Sequence, residues 1–161
     1  MQASDFSRRA FLLLKERHEK VSFAESLTGG LIAASFISNS GASAVIDESY
    51  VTYAAESKMR ILGVQAETVE TVGVVSSRCA MEMAQGVRNI SGADWGVSAT
   101  GLAGPDGGTD ELPVGTVFIG ISGKNKSCAH ECHFSGDRME IRMQAVEKAF
   151  ELLAEMIKTT G

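Results

Sequence analysis

The chain has 161 residues, of which 44% are hydrophobic and 22% charged, and its formal net charge is −5. These values predict one compact domain over residues 1–161, and the acidic balance argues against a nucleic-acid-binding surface. No apolar stretch is long enough to cross a bilayer and no signal peptide opens the chain, so we expect a cytoplasmic protein that does not bind membranes.

Hydrophobic periodicity and turn residues predict alternating helices and strands in the first half of the chain. In order, we expect a helix over 4–18, a strand over 21–25, a helix over 31–38, a strand over 49–53 and a helix over 54–62. The second helix is opened by Gly29-Gly30 and ended by Asn39-Ser40-Gly41.

The second half begins with a helix capped by Ser76 or Ser77. It continues with a strand over 95–99, a glycine-rich loop over 100–113, a hairpin of strands over 114–122 and 127–134, and a helix over 137–157. Helices that alternate with strands, together with one hairpin, predict an α/β fold: a three-layer α/β/α sandwich with a mixed β-sheet.

The stretch "AESLTGG", residues 24–30, lies where a strand, a turn and a helix start meet. Main-chain N–H groups at such a joint stabilise an anion or a developing oxyanion, so Ser26 could attack a carbonyl group there. A simpler interpretation is that Ser26 or Thr28 only caps the helix, and local sequence favours it.

A second polar stretch, "YVTYAAESK", ends in Lys58 and contains Tyr53. A serine needs a base, and a lysine whose pKa is lowered by burial can serve as one. We expect both side chains to face the same crevice, although a surface lysine and a tyrosine at the edge of the core would have the same spacing.

Two further stretches suit a phosphorylated ligand. The glycine-rich loop is long for a compact domain, and its amides could hold a phosphate or shape a carbonyl pocket. Arg138 and Arg142 lie four residues apart on the last predicted helix, so both guanidinium groups share one face.

The cysteine and histidine residues give no metal site. Cys128, His130 and Cys132 alternate along a predicted strand while His133 faces the other side, so the four cannot converge on one ion. We therefore expect no metal and no cofactor, and the three cysteines of the chain do not form a disulfide framework.

Taken together, the motifs resemble the C-terminal domain of the competence/damage-inducible protein CinA, including its stand-alone form, over residues 4–157. The matching segments are "AESLTGGLIAA", "VTYAAESKMRILGV", "GVVSSRCAMEMAQGVR", "ADWGVSATGLAGPDGG", "PVGTVFIGI" and "FSGDRMEIR". The resemblance implies an amidohydrolase that converts nicotinamide mononucleotide into nicotinic acid mononucleotide and ammonia, in pyridine nucleotide recycling. A homo-oligomer is also implied.

The resemblance further implies a serine nucleophile helped by a tyrosine and a lysine, which fall on Ser26, Tyr53 and Lys58. Amides near Thr28, Gly29 and Gly30 would hold the oxyanion. The expected contacts to phosphate and ribose are Thr100, Gly101, Gly104, Gly107, Gly108, Arg138 and Arg142.

The chain departs from the family pattern beside these residues. Leu27 stands where the family has cysteine, and Ala54-Ala55 stand where it has Ser-Asn. These changes favour an alternative function, a nucleotide-binding or regulatory protein that keeps the pocket without the reaction.

Overall fold

A computed structural model describes residues 1–160 and shows five strands in one sheet, with helices on both faces. The elements in chain order are α1 (Asp5–Arg17), β1 (Val21–Glu25), α2 (Leu31–Ile37), a 3₁₀ turn (Ala42–Ala44), β2 (Ile46–Val51), α3 (Ala55–Leu62), α4 (Ala66–Thr71), α5 (Ser77–Ser91), β3 (Trp95–Gly101), β4 (Thr116–Ser122), β5 (Ser127–His133) and α6 (Arg138–Thr159).

The strand order is β2-β1-β3-β4-β5. The first three strands are mutually parallel, and β4 and β5 continue the sheet in antiparallel pairing. This is the predicted mixed sheet. Because β1, β2 and β3 are parallel, their carboxyl ends meet at one edge of the sheet.

The two faces of the sheet are covered by different helices. On one face, α1, α2 and α6 pack around an aromatic cluster formed by Phe11, Phe23, Phe36 and Phe150. On the other face, α5 lies against β3 and β4 while α3 and α4 contact α5. The three-layer α/β/α architecture expected from the sequence is confirmed.

Several predicted boundaries were wrong. The second strand covers Ile46–Val51 rather than 49–53, so Thr52 and Tyr53 lie beyond its end. It is an edge strand that pairs only with β1, and there it tolerates Asp47 and Glu48, which weaken the sequence signal. The fourth strand starts at Thr116, not at 114.

Two short elements have no counterpart in the sequence prediction, the 3₁₀ turn and the six-residue α4. Both are too short to show a clear hydrophobic period. Within residues 1–160 no helix is long and apolar enough to cross a membrane.

Candidate active site

The predicted functional residues gather at the carboxyl edge of the three parallel strands. Ser26 follows the last residue of β1, and the segment from Thr52 to Lys58 follows the end of β2. Because β1 lies between β2 and β3, the connections that leave β1 and β2 diverge and open a crevice at this edge.

Ser26 and Lys58 form the central contact, since Lys58 Nζ lies 2.9 Å from Ser26 Oγ. The amine has two other partners, the main-chain carbonyl oxygens of Thr52 at 2.7 Å and Tyr53 at 3.1 Å. A neutral amine has two N–H groups and one lone pair. Three partners of this kind let both N–H groups donate to the carbonyls while the lone pair accepts the Ser26 hydroxyl proton.

The surroundings of Lys58 favour that neutral form. Its side chain is only 1% exposed. Among residues 1–160 no carboxylate forms a salt bridge with it. Burial therefore lowers the pKa of Lys58 from its usual value of 10.5. A lysine of this kind can take a proton from serine at a pH nearer neutrality.

Cys79, in the first turn of α5, is a buried neighbour that adds no negative charge. Burial raises the pKa of its thiol to about 11, so Cys79 is an uncharged thiol at neutral pH. The electrostatic environment of Lys58 is thus set by desolvation rather than by an ion pair.

The turn between β1 and α2 differs from the simpler interpretation, in which Ser26 or Thr28 capped the helix. Gly30 occupies the cap position and makes no side-chain cap bond. The Glu25 carboxylate caps the helix instead, since it accepts hydrogen bonds from the N–H groups of Ile32 at 2.8 Å and Ala33 at 3.1 Å. The capping interpretation was wrong because an acidic side chain from the preceding strand already fills the helix end.

The main-chain hydrogen bonds of this turn limit which of its N–H groups are free to donate to an oxyanion. The Gly29 N–H donates to the Ser26 carbonyl, and the Leu31 N–H donates to that of Thr28. In the described part of the chain, the turn amides that donate to no protein acceptor are those of Leu27, Thr28 and Gly30. The Thr28 side chain is completely buried and does not line the pocket.

The Tyr53 hydroxyl makes no hydrogen bond to Ser26 or Lys58. It is 64% exposed, and its hydroxyl lies 3.2 Å from Arg138 Nη2. The carbonyl of the same residue holds Lys58. The backbone of Tyr53 therefore contacts Lys58, while its side chain lines the pocket.

A pocket of about 260 Å³ opens beside Ser26 and Lys58. Tyr53, Arg138 and Asp106 contribute its polar wall, and Asp106 is the one acidic residue in the lining. The remaining lining residues are Leu27, Val74, Val75, Thr100, Gly101, Leu102, Ala103 and Gly104. Such a volume and such a mixture of apolar and polar groups suit a small organic ligand.

The two predicted arginines diverge although they share a helix. Arg138 lines the pocket, and its Nη1 donates to the Gly104 carbonyl at 2.7 Å. Arg142 instead donates from Nε to the Leu27 carbonyl at 2.7 Å and from Nη2 to the Thr28 carbonyl at 3.4 Å. Arg142 does not line the pocket.

Packing explains three glycines of the loop, Gly101, Gly104 and Gly108, whereas a Cβ at Gly107 would meet only the Leu102 side chain, at 3.8 Å. A Cβ at Gly101 would lie 2.6 Å from the Thr116 carbonyl oxygen, and one at Gly104 would lie 2.4 Å from the Val114 side chain. A Cβ at Gly108 would come within 2.8 Å of the Val114 nitrogen. Gly107 and Gly108 lie outside the pocket lining, and Thr100 lines it while its hydroxyl donates to the Val74 carbonyl at 2.8 Å.

No group of three His, Cys, Asp or Glu side chains within residues 1–160 is arranged to hold a metal ion. Cys128 and His130 are neighbours on β5, with Sγ and Nε2 3.5 Å apart, and Cys132 faces the core.

Sequence reasoning missed three contributors to the site. Glu25 is detectable in principle, because an acidic residue at a strand end precedes a helix whose first residues supply no cap. The Thr52 carbonyl has no sequence signal, since any residue type carries one. Asp106 lies in the predicted loop, but nothing in the sequence distinguishes it from Asp110.

Comparison with known proteins identifies relatives of this chain. The chain matches the family described as "CinA C-terminal domain" over residues 4–157. It is 48% identical over 141 residues to a CinA-like protein of Endomicrobium trichonymphae, covering 88% of this chain and 33% of that protein. A CinA-like protein of Fervidobacterium nodosum is 43% identical over 150 residues, covering 92% of this chain and 37% of the relative.

The chain therefore spans about a third of the length of these curated relatives. Solved structures match it along its whole length. A competence/damage-inducible protein CihA from Agrobacterium tumefaciens has a TM-score of 0.91 at 37% identity, covering 99% of both chains. A CinA superfamily protein from Klebsiella pneumoniae has a TM-score of 0.92 at 33% identity, covering 96% of both.

The lowered pKa of Lys58 predicts a pH dependence of folding stability. Between the lowered pKa of the folded state and the usual value, the unfolded chain binds more protons, so stability rises with pH. We expect the free energy of unfolding of the wild type to rise relative to that of Lys58→Met as the pH is raised toward the usual lysine pKa of 10.5. Urea titrations measure this difference. The exposed Lys124→Met is the control, and parallel curves for wild type and Lys58→Met would contradict the buried neutral amine.

The start of α3 yields a second prediction. Ala54 occupies the N-cap position of this helix and makes no side-chain cap bond. Ala54→Ser supplies the missing acceptor, so we expect stability to rise by about 0.5–1 kcal/mol. Thermal unfolding measures the gain. Ala55→Ser, one position inside the helix, cannot cap and is the matched control, so an equal effect of both variants would disprove capping.

Proposed function

Because the chain belongs to the CinA C-terminal domain family, we propose that it hydrolyses the carboxamide of nicotinamide mononucleotide to nicotinic acid mononucleotide and ammonia. The single observation that carries the proposal is the 2.9 Å contact between Lys58 Nζ and Ser26 Oγ beside the pocket. A nucleophile within hydrogen-bond distance of its base is the arrangement that acyl transfer requires. The reaction would serve pyridine nucleotide recycling.

In the first half of the reaction, Ser26 Oγ attacks the amide carbon while its proton passes to Lys58 Nζ. The Thr52 and Tyr53 carbonyls accept the N–H groups of the new ammonium and keep it directed at the reaction centre. Among the turn amides without a protein acceptor, that of Leu27 is the candidate donor for the oxyanion, because Leu27 lines the pocket while Thr28 and Gly30 do not. Lys58 then returns the proton to the leaving nitrogen, and ammonia departs.

In the second half, a water molecule gives a proton to Lys58 and attacks the acyl-enzyme. The ester bond to Ser26 breaks, Oγ takes the proton back from Lys58, and the carboxylic acid product is released. One amine thus acts as base and acid in both halves, and the scheme uses neither a metal ion nor a cofactor.

The rest of the pocket supports a nucleotide substrate. We assign the phosphate to Arg138, whose guanidinium lines the pocket and contacts the Tyr53 hydroxyl. Thr100, Gly101 and Gly104 also line the pocket, and we assign the ribose to them. The Tyr53 hydroxyl is placed to orient the substrate with Arg138 rather than to relay the Ser26 proton.

We predict that Ser26→Ala and Lys58→Ala each lower ammonia release from nicotinamide mononucleotide at least about 100-fold, because each removes half of the reacting pair. Release falls at pH values below the lowered pKa of Lys58, where the base is protonated. Ammonia is measured by a coupled assay, and nucleotide binding by calorimetry.

The controls for this experiment are Ser38→Ala and Lys124→Ala, two exposed positions away from the pocket. Undiminished turnover in both active-site variants would reject the mechanism. If the wild type binds the nucleotide without releasing ammonia, the alternative function holds and the chain is a nucleotide-binding or regulatory protein.

We also predict that Arg138→Ala lowers kcat/KM for nicotinamide mononucleotide about 10–100-fold, mainly through KM, because a charge-assisted bond to phosphate is lost. The kcat/KM for nicotinamide riboside, which lacks the phosphate, should fall much less in this variant. Steady-state kinetics on both substrates measure the difference, with the exposed Arg9→Ala as control. Equal losses on the two substrates would contradict a phosphate contact.

A further inference from the structure

The turn that carries Ser26 is short and makes few main-chain hydrogen bonds of its own. Its five residues, 26–30, include two glycines with left-handed backbone angles, Gly29 at φ +56° and Gly30 at φ +100°. Only two main-chain bonds close the turn on itself, from Gly29 to Ser26 at 3.0 Å and from Leu31 to Thr28 at 2.9 Å. A turn of this composition needs outside contacts to keep one conformation.

Glu25 supplies contacts on the inner side of the turn. Its side chain is completely buried, and its two carboxylate oxygens accept the N–H groups of Ile32 and Ala33. Its own carbonyl accepts the Thr52 N–H at 2.9 Å. One residue therefore fixes the end of β1 to the start of α2, and so fixes the distance that the turn must span.

Arg142 supplies contacts on the other side of the turn. Its Nε and Nη2 donate to the carbonyls of Leu27 and Thr28, the two residues that follow the nucleophile. Arginine presents these donors in a rigid planar fork. A Cβ at Gly29 would lie 3.2 Å from Arg142 Nη2, so the guanidinium lies close against the turn.

We infer that Glu25 and Arg142 are positioning residues that hold the Ser26 turn in its reactive conformation, and that Arg142 acts in this way rather than by binding the substrate phosphate. The inference rests on the proposed role of Ser26 as nucleophile. Neither side chain lines the pocket, and both are bonded to main-chain groups within the turn or at its end. A displacement of about 1 Å of a reacting group costs on the order of 100-fold in rate.

The first test uses Glu25→Gln, which keeps the size of the side chain but puts an amide nitrogen where one oxygen accepted an N–H group. We expect kcat for nicotinamide mononucleotide to fall about 10–100-fold while KM stays within about twofold. Ser4→Ala, which removes the side-chain cap of the distant α1, is the control. It should lose stability and keep kcat.

A chemical readout separates positioning from folding and from the proposed substrate. An alkyl fluorophosphonate reacts with an activated serine, and intact-mass spectrometry gives the rate of Ser26 labelling. We expect slower labelling of folded Glu25→Gln, at a temperature well below its unfolding. If the wild type is labelled faster than Glu25→Gln but does not hydrolyse the nucleotide, the proposed function fails and this inference stands. If both proteins are labelled equally fast, or the wild type is not labelled, the inference fails.

The second test compares Arg142→Gln with Arg142→Lys on two substrates, and it carries the proposal alone if Glu25→Gln does not fold. Positioning predicts the same fractional loss of kcat with nicotinamide mononucleotide and with nicotinamide riboside, and slower Ser26 labelling in Arg142→Gln. A loss confined to the phosphorylated substrate, with restoration by Arg142→Lys, would show that Arg142 binds phosphate and would overturn the inference.

Discussion

Burying an ammonium group without a carboxylate costs more free energy than a small domain can readily supply, and Lys58 is almost completely buried with no such partner among residues 1–160. The neutral amine avoids that cost. Two main-chain carbonyls then satisfy its N–H groups, and the lone pair is left for Ser26. The same burial that lowers the pKa of Lys58 therefore also leaves its lone pair free to face the Ser26 hydroxyl, 2.9 Å away.

The sheet topology is what brings this amine and this hydroxyl together across 32 positions of sequence. With β1 between β2 and β3, the ends of two neighbouring parallel strands deliver Ser26 and the Thr52–Tyr53 carbonyls to one edge. The Ser26 N–H donates to Ala99 of β3 and the Thr52 N–H donates to Glu25 of β1. Both segments are thus hydrogen-bonded to the sheet at Ser26 and Thr52, where their functional groups lie. These bonds restrict the conformations that the two segments can adopt.

Part of this arrangement could be predicted from the sequence, because Ser26 follows a stretch with a clear strand signal and parallel strands end at a common edge. The pairing of Ser26 with Lys58 followed from the family resemblance, since the strand before Lys58 carries a weak signal and local sequence favoured a helix cap at Ser26. Glu25 does leave a signal, an acidic residue between a strand and a helix that lacks its own cap. The role of Arg142 could not be predicted, because it depends on contacts with main-chain carbonyls, which leave no pattern in the sequence. The Tyr53 ring shows the same limit. Its place at the end of the predicted strand indicated the crevice, but only the structure shows that its carbonyl, and not its hydroxyl, is hydrogen-bonded to Lys58.

The departures from the family pattern can be judged on the same grounds. Ala54 and Ala55 start α3, and the groups that hold Lys58 are the carbonyls of the two preceding residues, which a side-chain change does not remove. Leu27 keeps the carbonyl that Arg142 binds, and its side chain joins the apolar core. Each change therefore alters a side chain, whereas the contacts to Lys58 and Arg142 are made by main-chain carbonyls at or next to the changed positions. This favours the enzyme over a protein that has lost the reaction, since the Ser26–Lys58 contact does not depend on the side chains that were replaced.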